Sequence, residues 1–200
     1  FPNLLRCKGP HEKNQKDMFR PLWIAGFRAF GWKITGEWKG DTHKAVLVVA
    51  PHTSAWDIVV AMGTRSILRM RNTHYLGKKE LFDGPFGWFF RITGGVPVDR
   101  SSRHNLVEEV AKVFSREDDF MVGMAPEGTR QRVDKLKSGF WHIAHTANVP
   151  IIMVGLDFGR KEVRFSEPFM PTDETADMQK AISFFRDVQG KDPSKDLRHL

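Results

Sequence analysis

Lys44-Ala-Val-Leu-Val-Val-Ala50-Pro51-His52-Thr53-Ser54-Ala55-Trp56-Asp57 is the stretch from which the fold reads. After its lysine, 44–50 is a continuous apolar run without alternation. Such a run predicts a strand buried on both faces, the kind a parallel sheet needs when helices cover it. The chain then breaks at Pro51, turns polar, and takes up a helical pattern to about Met70. Thr53 or Ser54 is placed to cap that helix. A buried strand, a short turn and a helix make one βα unit.

The same alternation repeats outward from this unit. Short strands are expected at Thr73 to Gly77 and Gly95 to Val98, separated by an aromatic helical region, Lys78 to Ile92, that Gly84-Pro85 interrupts. An amphipathic helix follows over Arg103 to Arg116, with Leu106, Val110, Val113 and Phe114 inward. Phe120 to Ala125 reads as a second buried strand and Ser138 to Asn148 as a helix. Pro150 to Leu156 is a third buried strand, with Glu162 to Phe165 beside it, and a helix over Thr175 to Val188 closes the pattern. Strands alternating with helices predict one α/β domain over 1–200, a sandwich with a largely parallel central sheet flanked by helices. The segment 190–200 is polar and is expected to form a loose tail.

Composition narrows the function. The 200 residues are 40% hydrophobic and 28% charged, values of an ordinary globule rather than a disordered or fibrous chain. Lys and Arg number 31 against 24 Asp and Glu, a formal net charge of +7. The excess points to an anionic partner: nucleic acid, a phosphate-bearing substrate or an anionic membrane surface. One cysteine, Cys7, rules out an intrachain disulfide and a Cys-rich zinc cluster. No run approaches the roughly 20 apolar residues that span a bilayer. Met18 to Trp32 is a basic Trp/Phe-rich helical stretch. It reads equally as an interfacial membrane anchor and as a helix capping the sheet.

Two polar clusters follow buried strands. His52 comes directly after the first, with Asp57 five residues on. Five residues are about 140° apart on a helix. The two side chains therefore meet only if His52 sits in the turn and Asp57 in the first helical turn. A carboxylate on one imidazole nitrogen fixes the tautomer, which leaves the other nitrogen to take a proton from a hydroxyl. The plainer reading is a histidine capping a loop. Pro126-Glu-Gly-Thr-Arg130 follows the strand Phe120 to Ala125. Ligands of open α/β sheets bind beyond the carboxyl ends of strands, so both clusters can share one cleft. Gly128 permits close backbone approach, Thr129 offers a hydroxyl, and Arg130 can hold a phosphate with two donors. A charged turn with an internal Glu–Arg pair is the alternative. Gly94-Gly-Val-Pro-Val-Asp-Arg100 is a further strand ending in an arginine, and Asn148-Val-Pro150 leads into another. His142 and His145, three apart on a helix, read as packing and capping residues rather than metal ligands, and His11, His43, His74, His104 and His199 as surface or loop residues.

Taken together, these blocks resemble the glycerolipid acyltransferase superfamily, to which the lysophosphatidate acyltransferases belong. His52-Thr-Ser-Ala-Trp-Asp57 resembles its HxxxxD motif, Gly94 to Arg100 its second block, Glu127-Gly-Thr-Arg130 its third and Val149-Pro150 its fourth, in family order over roughly Val46 to Val163. The resemblance implies a glycerol-3-phosphate acyltransferase-like fold. It also implies transfer of a fatty acyl group from acyl-coenzyme A or acyl carrier protein to the hydroxyl of a lyso-lipid, with no metal and no cofactor. His52 would be the general base and Asp57 would orient it. Arg130, Glu127, Gly128 and Thr129 would bind the acceptor, with Arg100 and Lys137 adding charge, and Val149 and Pro150 would border the acyl-donor side. Many family members open on a hydrophobic anchoring helical pair. The short, basic Met18 to Trp32 implies peripheral attachment instead, at the cytoplasmic face of a membrane. A basic nucleic-acid or anionic-surface binding module without catalysis is the competing expectation, although the basic residues are scattered and carry no nucleic-acid-binding signature.

Overall fold

The computed structural model describes residues 18–36, 38, 42–98 and 103–200. In chain order the elements are α1 (Arg20–Ala29), β1 (Lys33–Gly36), β2 (Lys44–Ala50), α2 (Trp56–Ile67), β3 (Thr73–Lys78), α3 (Lys79–Asp83), α4 (Gly87–Ile92), β4 (Gly95–Val98), α5 (Arg103–Arg116), β5 (Phe120–Met124), α6 (Gly139–Ala147), β6 (Ile151–Asp157), β7 (Glu162–Phe165) and α7 (Glu174–Phe185). The seven strands form one sheet in the order β1-β7-β6-β2-β5-β3-β4. Every neighbouring pair is parallel except β6 with β7.

The apolar runs explain the centre of this order. β2 lies between β6 and β5, the two other continuous hydrophobic runs, and its Ala45, Val46, Val48 and Ala50 are fully buried. Burying one such valine stabilises the fold by about 1.5–3 kcal/mol relative to leaving it exposed.

Alternate residues feed two cores. Val46 and Val48 join Val113, Phe114, Phe140 and Ile143 under α5 and α6, and Ala45 and Leu47 join Val60 and Phe27 under α2 and α1. Right-handed crossovers account for this division. β2 to β3 and β3 to β4 both step one way across the sheet, which puts α2, α3 and α4 on one face. β4 to β5 and β5 to β6 step back, which puts α5 and α6 on the other. Packing agrees: Leu76 of β3 faces the α5–α6 core, whereas its neighbour Gly77 lies under Phe82 of α3 on the opposite face.

Four local readings change in the structure. The helix expected over Met18 to Trp32 is shorter, Arg20–Ala29; Phe27 is buried in the core under α1 and α2, and Leu22 and Phe30 are exposed. Its end feeds β1, a four-residue strand the sequence did not suggest, held by parallel pairing to β7. His74 is no loop residue; it lies in β3, stacked on Phe120, and burial pushes its pKa down. The tail over 190–200 is not loose. Leu197 is 1% exposed within the α5–α6 core, Leu200 packs against the same core and Asp196 is buried, because two leucines in an otherwise polar stretch find an apolar site.

Candidate active site

Helices leave β2 and β5 toward opposite faces, α2 to one and α6 to the other. Between adjacent parallel strands, this makes a crevice outside their carboxyl ends. The two polar clusters flank that crevice.

On the β2 side, the chain passes through a cis Ala50–Pro51 bond and presents His52. Ser54 and Asp57 then brace the turn that leads into α2. Ser54 Oγ accepts from the Trp56 N–H at 3.2 Å, and Asp57 Oδ2 accepts from the Ser54 N–H at 2.8 Å. The same Oδ2 also accepts from the Thr53 N–H at 2.8 Å and stands 3.1 Å from His52 Nδ1. Asp57 is 2% exposed and serves both the turn and the imidazole. The N-cap of α2 is Ala55, so Thr53 and Ser54, the caps expected from the sequence, both lie in the turn before it.

The β5 side completes the imidazole's surroundings. Arg130 Nε donates to His52 Nε2 at 3.3 Å. One tautomer satisfies both contacts: Nδ1–H toward Asp57 and a lone pair on Nε2, the form in which a histidine accepts a proton. Glu127 is deeper. Its Oε1 accepts from the backbone N–H of His52 at 2.7 Å, and it is 1% exposed. Burial raises its pKa to about 7; the His52 N–H bond opposes the shift and the Asp57 charge adds to it. From this position the carboxylate holds the histidine turn.

The rest of the cluster is partly assembled. Gly128 has φ of +66°, and Lys137 crosses it so closely that a Cβ there would lie 2.6 Å from Nζ. The positive φ favours glycine, whereas the Lys137 ammonium ends a flexible side chain that could move aside. Lys137 is anchored by its own N–H, which donates to Pro126 O at 2.8 Å. Thr129 and Arg130 are exposed, and Thr129 Oγ1 accepts from the Gln131 N–H within its own loop. β4 ends at Val98, and Arg100 lies outside the described residues.

Val149 and Pro150 do not join the site. Register pairs Val46 with Ile151 and Ala50 with Gly155, so they precede β6 at the amino end of β2. Four residues of strand, about 13 Å, separate that end from Ala50. Val149 is buried in the core, and Pro150 O accepts from the Val46 N–H. Their place is at a sheet junction, and a border to the acyl donor beside His52 does not follow from it. His142 and His145 are also remote in role: His145 stacks on Trp141, and His142 faces Ser138 and Glu174.

Sequence reading missed one support. The N–H of Asp192 donates to Thr53 Oγ1 at 3.1 Å, and Gly190 packs on the same side chain. The chain near the C-terminus thus braces the histidine turn from 139 residues away.

Comparison with known proteins gives the chain's family. The acyltransferase family profile matches residues 32–157, and the chain belongs to the acyltransferase family. Among curated relatives, the 1-acyl-sn-glycerol-3-phosphate acyltransferase of Haemophilus influenzae is 36% identical over 134 residues, 62% of this chain and 54% of that protein. The protein of the same name from Escherichia coli is 34% identical over 121 residues, 57% of this chain and 47% of its own. The chain thus spans about half the length of these relatives. No solved structure matches it.

Proposed function

We propose that this chain transfers a fatty acyl group from a thioester, acyl-coenzyme A or acyl carrier protein, to the free hydroxyl of a lyso-lipid of the 1-acylglycerol-3-phosphate class. The observation that carries the reading is His52, held between Asp57 at 3.1 Å and Arg130 at 3.3 Å at the mouth of the strand-end crevice.

Chemistry follows from that arrangement. His52 Nε2 takes the proton of the acceptor hydroxyl as its oxygen bonds to the thioester carbon. Asp57 stabilises the imidazolium that forms. The tetrahedral oxyanion collapses, the carbon–sulfur bond breaks, and the imidazolium returns its proton to the departing thiolate. The product is an ester and a free thiol, and no acyl-enzyme forms. Arg130 Nε covers the lone pair that must act. An acceptor phosphate draws the guanidinium away, because a dianion outcompetes a neutral imidazole for it. The base is then freed only when an anionic acceptor is present. Lys137, lying across Gly128, adds positive charge to the same pocket, and Arg100 is proposed as a further phosphate ligand.

Among the described residues, no helix is long and apolar enough to cross a membrane. The exposed Leu22 and Phe30 of the basic α1 segment support peripheral attachment, which we place at the cytoplasmic face. Measuring free thiol release from acyl-coenzyme A and acyl carrier protein against a lyso-lipid panel tests the activity. Acceptor-dependent release, lowered about 10²-fold or more in His52→Ala, is expected. Release that no acceptor stimulates, or that survives the substitution, favours the binding-module reading instead.

A further inference from the structure

Among the described residues, twelve large apolar side chains are exposed, and all but Met170 lie on or beside α1, α2, α3 and α4. These helices share one face of the sheet. Scattered exposed apolar residues are ordinary, but their confinement to one face marks an interaction surface. Its densest part is α4 with the residue before it: Phe86, Trp88, Phe89 and Ile92 are exposed, Ile92 to 76%. None of these four belongs to the catalytic cluster. Gly87 of α4 is buried against Phe82 of α3, so α4 has an inner side held to α3 and, among the described residues, an outer side left exposed. Trp56, 60% exposed in the first turn of α2, carries the apolar surface to the mouth of the His52 crevice.

Charge identifies the occupant. α1, α2 and α4 carry Arg20, Arg28, Arg65 and Arg91, and their one acid, Asp57, is buried on His52. α3 adds Lys79 beside Glu80 and Asp83. A second copy docked on this face by a two-fold axis would set arginines against arginines. An anionic lipid surface takes both the aromatic side chains and the arginines.

We propose that α4 is a second membrane-contact element, which together with α1 seats this face on an anionic phospholipid bilayer with the His52 crevice opening at its edge. This goes beyond the acyl-transfer reading and is measured with neither donor nor acceptor present, so either can fail alone.

The test is co-sedimentation with vesicles of equal phosphatidylglycerol and phosphatidylcholine, and with phosphatidylcholine alone. Trp88→Ser/Phe89→Ser is expected to lower partitioning onto the anionic vesicles about tenfold or more. Adding Leu22→Ser should lower it further, and the thermal midpoint should stay unchanged. Ile92→Asn, at the most exposed apolar position of α4, decides the matter if the double variant is destabilised. Unchanged partitioning of Ile92→Asn and the double variant overturns the proposal. So does a lipid-free dimer that these variants convert to monomer, which would make the face a self-contact.

Discussion

At the scale of single residues, two buried carboxylates govern the site in different ways. Asp57 uses one oxygen to receive the Thr53 and Ser54 N–H groups and to face His52 Nδ1, so the imidazole is fixed to the same point that starts α2. Glu127 holds the His52 backbone from the neighbouring strand end, and burial lifts its pKa to about 7 from an ordinary value of 4.5. The sign of the consequence is set by proton binding. Between pH 4.5 and 7 the folded chain keeps a proton on Glu127 that the unfolded chain has released, so this group lowers stability as pH rises through that window. Glu127→Gln removes the titration and keeps an oxygen to accept from His52. Relative to the wild type, the variant should gain about 3 kcal/mol between pH 4 and pH 8 in urea unfolding. Parallel pH dependences would show that Glu127 is not the buried acid described.

At the scale of elements, the α3–α4 pair depends on one close approach. A Cβ on Gly87 would lie 1.9 Å from Phe82 O, so Gly87→Ala must part the two helices or shift Phe82 from its seat over Gly77 and Gly95. A loss of about 1–3 kcal/mol is expected, read as a lower thermal midpoint. Gly84→Ala is the control, since its nearest contact is 3.6 Å and ordinary; it should change stability little. The helix break at Gly84-Pro85 was legible in the sequence, as were β2, β5 and β6, because Gly-Pro chemistry and continuous apolar runs act locally. β1 was not. Lys33-Ile-Thr-Gly36 holds a single large apolar side chain, and pairing with β7 far along the chain is what makes it a strand.

At the scale of the whole molecule, the C-terminal segment is part of the core and of the site's support. Leu197 sits in the α5–α6 core, and Asp192 bonds to Thr53 behind His52. Leu197→Ala should therefore destabilise the chain by about 2–5 kcal/mol, the range for a fully buried leucine, where a loose tail would give nothing measurable. Equilibrium unfolding in urea distinguishes the two.

The amino-acid sequence alone determined the βα alternation, the parallel class of the sheet and the two polar clusters past strand ends. Each rests on local chemistry: unbroken apolar runs, breaker residues, and polar residues set directly after them. Tertiary structure decided which of those clusters meet. Glu127 and Arg130 reach His52 across 75 and 78 residues because β5 settles beside β2. Val149 and Pro150, in a block of the same apparent standing, go to the other end of the sheet because they precede their strand rather than follow it. Hydrophobic periodicity tells a strand which of its faces to bury, but any buried strand could neighbour any other. Strand order is settled only when the helices, crossovers and both cores pack together, and that order fixes which side chains share the crevice.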